Sequence, residues 1–296
     1  MPFTLKIMEY RYTVKEKTIK ASLDDTHIII PFGDVHRDTV NCDVDRWQWF
    51  LKNAENITRE NPSTWFVSMG DTHDFGSFSE VKKIKNSSLH QATMEKFDLI
   101  AQEDNRKFCQ EIGFMRGKLL GFVEGNHGWV MTDGKTANED LAERMGSESL
   151  GWLCHYTLHF KFNERAQAGT DVHFVFCHGK AGGKTTGNSI NQVAWLKEIF
   201  PVADVYIEGH NHERGAVPIS VLRPTHGRGG MKMKQLRQYL CRSGAFMRGY
   251  VPGQSSYVVR GLFRPSDLGS IQLVIRFHRD KRNGEDRIVT DIQAIV

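Results

Sequence analysis

The chain has 296 residues, 40% apolar and 25% charged, enough for a packed core and outside the composition of disordered or fibrous chains. The net charge of +4 hides an asymmetry: residues 1–213 carry 24 Lys/Arg against 30 Asp/Glu, residues 214–266 carry 10 Lys/Arg and no acid, and residues 267–296 carry 5 of each. Aliphatic runs such as Ile28-Ile29-Ile30 are far too short for a bilayer, and the first 20 residues hold no apolar signal core, so no membrane association and a cytoplasmic address are expected.

Taken in order, strands are predicted over 27–32, 64–69, 118–124, 172–177 and 203–208, each a short run rich in branched or aromatic residues and followed by a polar cluster. Helices are predicted between them over 44–56, 89–112, 138–145 and 189–200, which gives the alternation of an α/β fold. Strand-like pieces follow over 216–222, 238–242, 256–263, 271–278 and 287–296, expected to form a second sheet that completes the fold. No linker or repeat interrupts the chain, so one domain is expected over 1–296, with its motif-bearing core at 28–215. The five cysteines lie far apart with no CxxC pair and are expected to be buried thiols.

The chemistry sits where the predicted strands end. The first is followed by Gly33-Asp34-Val35-His36, the second by Gly70-Asp71-Thr72-His73-Asp74, the third by Gly125-Asn126-His127, the fourth by His178-Gly179 and the fifth by Gly209-His210-Asn211-His212. In an α/β sheet ligands bind outside the carboxyl ends of the strands, so five segments converge on one place. Their Asp, Asn and His side chains are enough donors for two divalent cations. Singly, each is weak: a Gly-Asp at a strand end is most often a turn, and a His on a strand, such as His159 or His173, is most often a core or surface residue. The conjunction carries the argument.

In this order the segments resemble the signature of the calcineurin-like metallophosphoesterases: DxH, GDxxD, GNH followed by an acid, H and GHxH. The resemblance covers about residues 28–215, and it implies a four-layer α/β/β/α sandwich with a dinuclear metal centre. By motif position, Asp34, His36 and His212 would hold one metal and Asn126, His178 and His210 the other, with Asp71 bridging. The ligand mix suits Mn, Fe or Zn, and its oxygen content favours Mn. His127 stands at the family's general-acid position and Asp74 at that of the acid that orients it. Gly128 replaces the acid after GNH. Phe75-Gly76 stand where protein phosphatases of this family carry an Arg, which argues against that subfamily.

The implied activity is hydrolysis of a phosphoester by water activated between two cations, most naturally as a phosphodiesterase or nuclease. The basic stretch 214–266, interleaved with Tyr and Phe, suits a nucleic-acid partner; it equally suits strands whose cations pair with the acidic part of the chain. A phosphomonoesterase acting on a small molecule and a non-catalytic scaffold are the alternatives. Lys180, Lys184 and Arg214 are candidates for contacting substrate phosphate. The segment 178–185 imitates a P-loop but has His178 where that motif needs Gly, so a nucleoside-triphosphatase is rejected.

Overall fold

The computed structural model describes residues 12–86, 90–162, 169–180, 185–227, 230–253, 257–281 and 287–296. It opens with two strands, β1 (Thr13–Ala21) and β2 (Thr26–Phe32), that go to different sheets. Helix α1 (Val44–Glu60) starts where the Asp43 carboxylate accepts the Arg46 amide, buries Trp47, Phe50, Leu51 and Ala54 at helical spacing, and ends at Asn61 before Pro62. There follow β3 (Thr64–Ser68), α2 (Phe78–Asn86), α3 (Gln91–Glu111) and β4 (Leu119–Val123). Helix α4 (Ala137–Met145) has a reciprocal capping box between Thr136 and Glu139 and closes on left-handed Gly146. The order continues with β5 (Ser149–Gly151), β6 (Leu153–Phe162), β7 (Gly169–Cys177), α5 (Thr186–Ile199), β8 (Val205–Glu208), β9 (Arg214–Gly227), β10 (Gly230–Ser243), α6 (Tyr257–Gly261), β11 (Gln272–Asp280) and β12 (Arg287–Ile295).

Among the described residues the strands form two six-stranded mixed sheets, ordered β1-β6-β7-β8-β10-β9 and β12-β11-β2-β3-β4-β5. The sheets face each other across a core containing Ile29, Val67, Leu120, Phe160, Phe174, Ile207, Cys241 and Ile275. On the outer face of the second sheet, Phe32, Phe66 and Phe122 pack against Trp47, Phe108 and Leu141 of α1, α3 and α4. On the outer face of the first, Val175 and Tyr206 pack against Val193 and Leu196 of α5. The layers are therefore α/β/β/α, the sandwich that the motif resemblance implies. No helix among the described residues is long and apolar enough to cross a membrane.

Two expectations are corrected. Residues 216–296 do not make a sheet of their own: β9 and β10 extend one sheet, while β11 and β12 extend the other. Residues 257–261 form one short helix, α6, and 262–263 are not a strand, while residue 256 lies outside the described residues; the aromatic and branched residues imitated strand composition. Strands β1 and β6 and helix α2 were not anticipated. Strand β1 reads Thr-Val-Lys-Glu-Lys-Thr-Ile-Lys-Ala, the charged pattern of a sheet edge, which masks its alternation. All five cysteines are free thiols, four of them buried and Cys177 partly so.

Candidate metal centre

The loops leaving β2, β3 and β4 in one sheet meet those leaving β7 and β8 in the other. They are laced by backbone hydrogen bonds: the Asp34 amide donates to the Gly70 carbonyl at 3.0 Å, and the amides of Val35 and His36 donate to that of Asp71 at 2.9 and 3.1 Å. Six non-glycine residues among those described adopt a left-handed backbone, and five of them are Asp34, His36, Asp71, His210 and His212. That conformation costs about 1–2 kcal/mol per residue and persists where the surroundings fix it, typically at functional sites. Gly70 (φ +93°) is needed for close approach, because a Cβ there would lie 2.7 Å from His178 Nδ1.

Asp34 and His178 are fully buried, and His36, Asp71 and His212 nearly so. The donor atoms of Asp34, His36 and His212 lie within 4.8 Å of one another, as do those of Asp71, His178 and His210. Oδ2 of Asp71 stands between the groups, 3.8 Å from His36 Nε2 and 3.1 Å from His178 Nε2. His178 Nδ1 donates to the Met69 carbonyl at 2.7 Å, which fixes its tautomer and aims Nε2 at Asn126 Oδ1, 2.8 Å away. The second Asp34 oxygen, Oδ2, accepts the His210 amide at 2.9 Å.

These residues fit divalent cations on a direct observation: Asp34 Oδ1 and both ring nitrogens of His36 are buried without a hydrogen bond, which is costly unless something else satisfies them. Burial pushes the Asp71 carboxyl up, but His178, His36 and His127 outweigh it and hold it well below the usual carboxylate range. Burial and neighbouring His178 lower His210 to about 4, while the carboxylates of Asp71 and Asp34 overcome burial and raise His178 to about 9.

A third donor group joins His36, Asp74 and His127. His127 Nδ1 is 2.5 Å from Asp74 Oδ1, and the His127 amide donates to Asp71 Oδ1 at 3.0 Å. Burial disfavours the His127 cation, yet the hydrogen bond to Asp74 and the charge of Asp71 raise its pKa above the usual histidine value. His73 is a buried core residue, its ring stacked on Phe75 at 5.2 Å.

The substrate-contact candidates fare differently from the ligands. Lys180 is exposed on the loop after His178. Lys184 lies outside the described residues. Arg214 pairs with Asp267 at 3.3 Å and lines a cavity that none of the seven candidate ligands lines. Arg242, read from sequence among the cations that track a polyanion, is 1% exposed. Its Nη1 lies 3.2 Å from Glu208 Oε2 and donates to the Gly209 carbonyl at 3.0 Å, while Nη2 reaches the Ser189 carbonyl and Gln192 Oε1. Gln192 Oε1 also accepts from Asn211 Nδ2 at 2.9 Å. Buried Glu208 and Arg242, with half-buried Gln192, thus form a polar support under the loop bearing His210 and His212, which sequence reasoning missed. The available signal was an acid at the very end of a predicted strand.

No protein-family model and no curated protein matches the sequence. Among solved structures the chain is similar to GAP50, described as the anchor in the inner membrane complex of Plasmodium, at 12% identity and TM-score 0.41, over 92% of this chain and 90% of that one. It is also similar to zinc-complexed Vps29 from Entamoeba histolytica, at 10% identity and TM-score 0.35, over 90% and 98%. The calcineurin-like phosphoesterase YfkN from Bacillus subtilis is similar at 11% identity and TM-score 0.28, over 92% and 90%.

Proposed function

We propose that this chain is a dinuclear-metal phosphoester hydrolase that cleaves phosphodiesters, with nucleic acid as its substrate class. The observation that carries the reading is the Asp71 carboxylate, shared between two groups of buried donors. Asp34, His36 and His212 would hold one cation and Asn126, His178 and His210 the other, with Asp71 bridging; Mn suits the oxygen-rich set best, and Fe or Zn would also fit. Such cations supply water activation near neutral pH and neutralise charge on the phosphoryl oxygens. The chain itself supplies the proton for the leaving group. Asp74 holds His127 through Nδ1, which leaves Nε2 to protonate the departing alkoxide, and the hydrogen bond to Asp74 and the charge of Asp71 favour the protonated ring.

One feature supports a polymeric substrate. The β9–β10 ribbon projects beyond β8, which pairs with β10 only over residues 239–242, and it carries Arg223, Lys232, Lys234 and Arg237. Lys234 stands directly opposite Arg223, a like-charge pair that disfavours the sheet and suits a polyanion. Arg214, Arg242, Arg248 and Arg264 are paired with Asp267, Glu208, Asp43 and Glu213. Five free thiols support a cytoplasmic address for a single domain over 1–296.

The test is metal-loaded protein assayed on bis-p-nitrophenyl phosphate, p-nitrophenyl phosphate and labelled single-stranded DNA and RNA. Cleavage of the diester and of an oligonucleotide, with oligonucleotide affinity falling as salt rises, is expected. Turnover of the monoester alone would make it a phosphomonoesterase, and no turnover with Mn, Fe or Zn would leave a scaffold. His127→Ala should keep the metals and slow poor leaving groups most.

A further inference from the structure

We propose a second binding site, for a phosphate group carried by a small apolar molecule or free in solution, in the cleft between α1 and the start of β11. It is independent of the hydrolytic reading, because no candidate metal ligand lines this cleft. Its volume is about 160 Å³, more than ten times the roughly 10–15 Å³ that one water needs, which leaves room for a phosphate with further atoms.

The cleft brings two guanidinium groups together. A Cβ on Gly269 would lie 3.3 Å from Arg214 Nη1 and 3.8 Å from Arg46 Nη2, so the two cationic ends face one backbone point and stand within about 7 Å of each other. Two positive charges so close repel unless an anion lies between them. The protein supplies less than that: Arg46 Nη2 donates to the Leu268 carbonyl, and Asp267, partly exposed, pairs with Arg214 Nη2 at 3.3 Å. Asp267 is the one carboxylate within 4 Å of either arginine among the described residues. The Nε atoms of Arg46 and Arg214 are both buried and have no hydrogen-bond partner. An unpaired buried donor on each of two adjacent cations is the arrangement that a tetrahedral oxyanion satisfies, since guanidinium forks match phosphate oxygens.

The other walls say what the phosphate is attached to. Trp49 is 56% exposed and lies under Arg46, whose Cζ is 4.8 Å from the ring centroid. Phe50 and Ile57 continue this wall down α1, and Gln272 offers an amide opposite. An apolar or aromatic substituent on the phosphate would lie along that wall. Trp49 also makes the site observable, because an anion drawn to Arg46 changes the environment of the indole.

The test is titration of the full chain, in chelator so that the metal centre takes no phosphate, with inorganic phosphate and with phenyl phosphate. Tryptophan fluorescence and calorimetry are both read. A saturable fluorescence change is expected that Trp49→Phe abolishes while the calorimetric signal persists. Arg46→Gln should weaken binding at least tenfold, and Arg46→Lys, which keeps the charge and loses the fork, several-fold. Tighter binding of phenyl phosphate would mark an ester ligand, and equal binding would mark free phosphate. The proposal is overturned if neither ligand saturates by tens of millimolar, if chloride at matched ionic strength gives the same response, or if a folded Arg46→Gln binds like the parent.

Discussion

The support under the His210 loop gives the most demanding prediction. Arg242→Met removes a cation that is 1% exposed and that meets Glu208, Gly209, Gln192 and Ser189. The orphaned Glu208 carboxylate, 4% exposed, is the main cost, because breaking a buried pair from one side takes about 3–5 kcal/mol. Losing the donor to the Gly209 carbonyl adds about 1 kcal/mol. A total of about 4–6 kcal/mol is comparable with the whole stability of a typical domain, about 5–15 kcal/mol. Burial already raises the Glu208 pKa and Arg242 opposes it, so without Arg242 the acid keeps its proton to higher pH. The unfolded chain releases that proton above about pH 4.5, so the variant should lose stability as pH rises from there toward neutrality. Urea denaturation near pH 5 and pH 7.5 would show both effects, and the double variant Glu208→Leu/Arg242→Met should recover most of the loss. A single variant less than about 1 kcal/mol below the parent at pH 7.5, or a double variant as damaged as the single, would refute the account.

His27→Phe should stabilise the protein by about 1–3 kcal/mol, since both ring nitrogens of His27 are buried without partners between Phe160 and Phe277. Burial lowers the His27 pKa and Asp25 only partly opposes this, so the folded state stays neutral while the unfolded chain gains a proton below about pH 6.5. Parent stability should therefore fall as pH drops below about 6.5 and the variant's gain should grow; denaturation midpoints with equal pH slopes would count against it. Gly70→Ala should cost about 2–4 kcal/mol and metal affinity, because the new methyl meets His178 Nδ1 at 2.7 Å on a left-handed backbone; a metal-replete, equally stable variant would contradict this. Asp71→Asn should weaken both cations together, read as metal equivalents by elemental analysis, and two retained equivalents would remove Asp71 from the shared position.

The five strand-end segments were legible because metal ligands have few chemical types and strand ends impose short, glycine-bearing turns. Convergence of Asp34, His36, Asp71, Asn126, His178, His210 and His212 needed only the rule that ligands gather beyond carboxyl ends. The support beneath them was not legible. Arg242 faces Glu208 because β10 lies parallel to β8 in register, a pairing between segments that no local pattern announces. The same ignorance of partners made one basic stretch of 214–266, when its cations divide among a buried pair, surface pairs, a cleft and a projecting ribbon. Strand β1 was hidden because an edge strand keeps charge on its outer face.

The pairing of β2 with β11, Ile29 opposite Leu273, bears on how the chain is made. The strand that delivers Asp34 and His36 gains its second neighbour only when β11, far downstream in the sequence, has been synthesised. At about 5–20 residues per second, one edge of β2, with Ile28, Ile29 and Ile30 on it, waits on the order of ten seconds or more for its partner. During that interval the nascent chain presents an apolar strand open to other chains. A protein truncated before Gln272 would keep every candidate metal ligand and still be expected to aggregate, so β11 acts as the late closure of the sheet that carries Asp34 and His36.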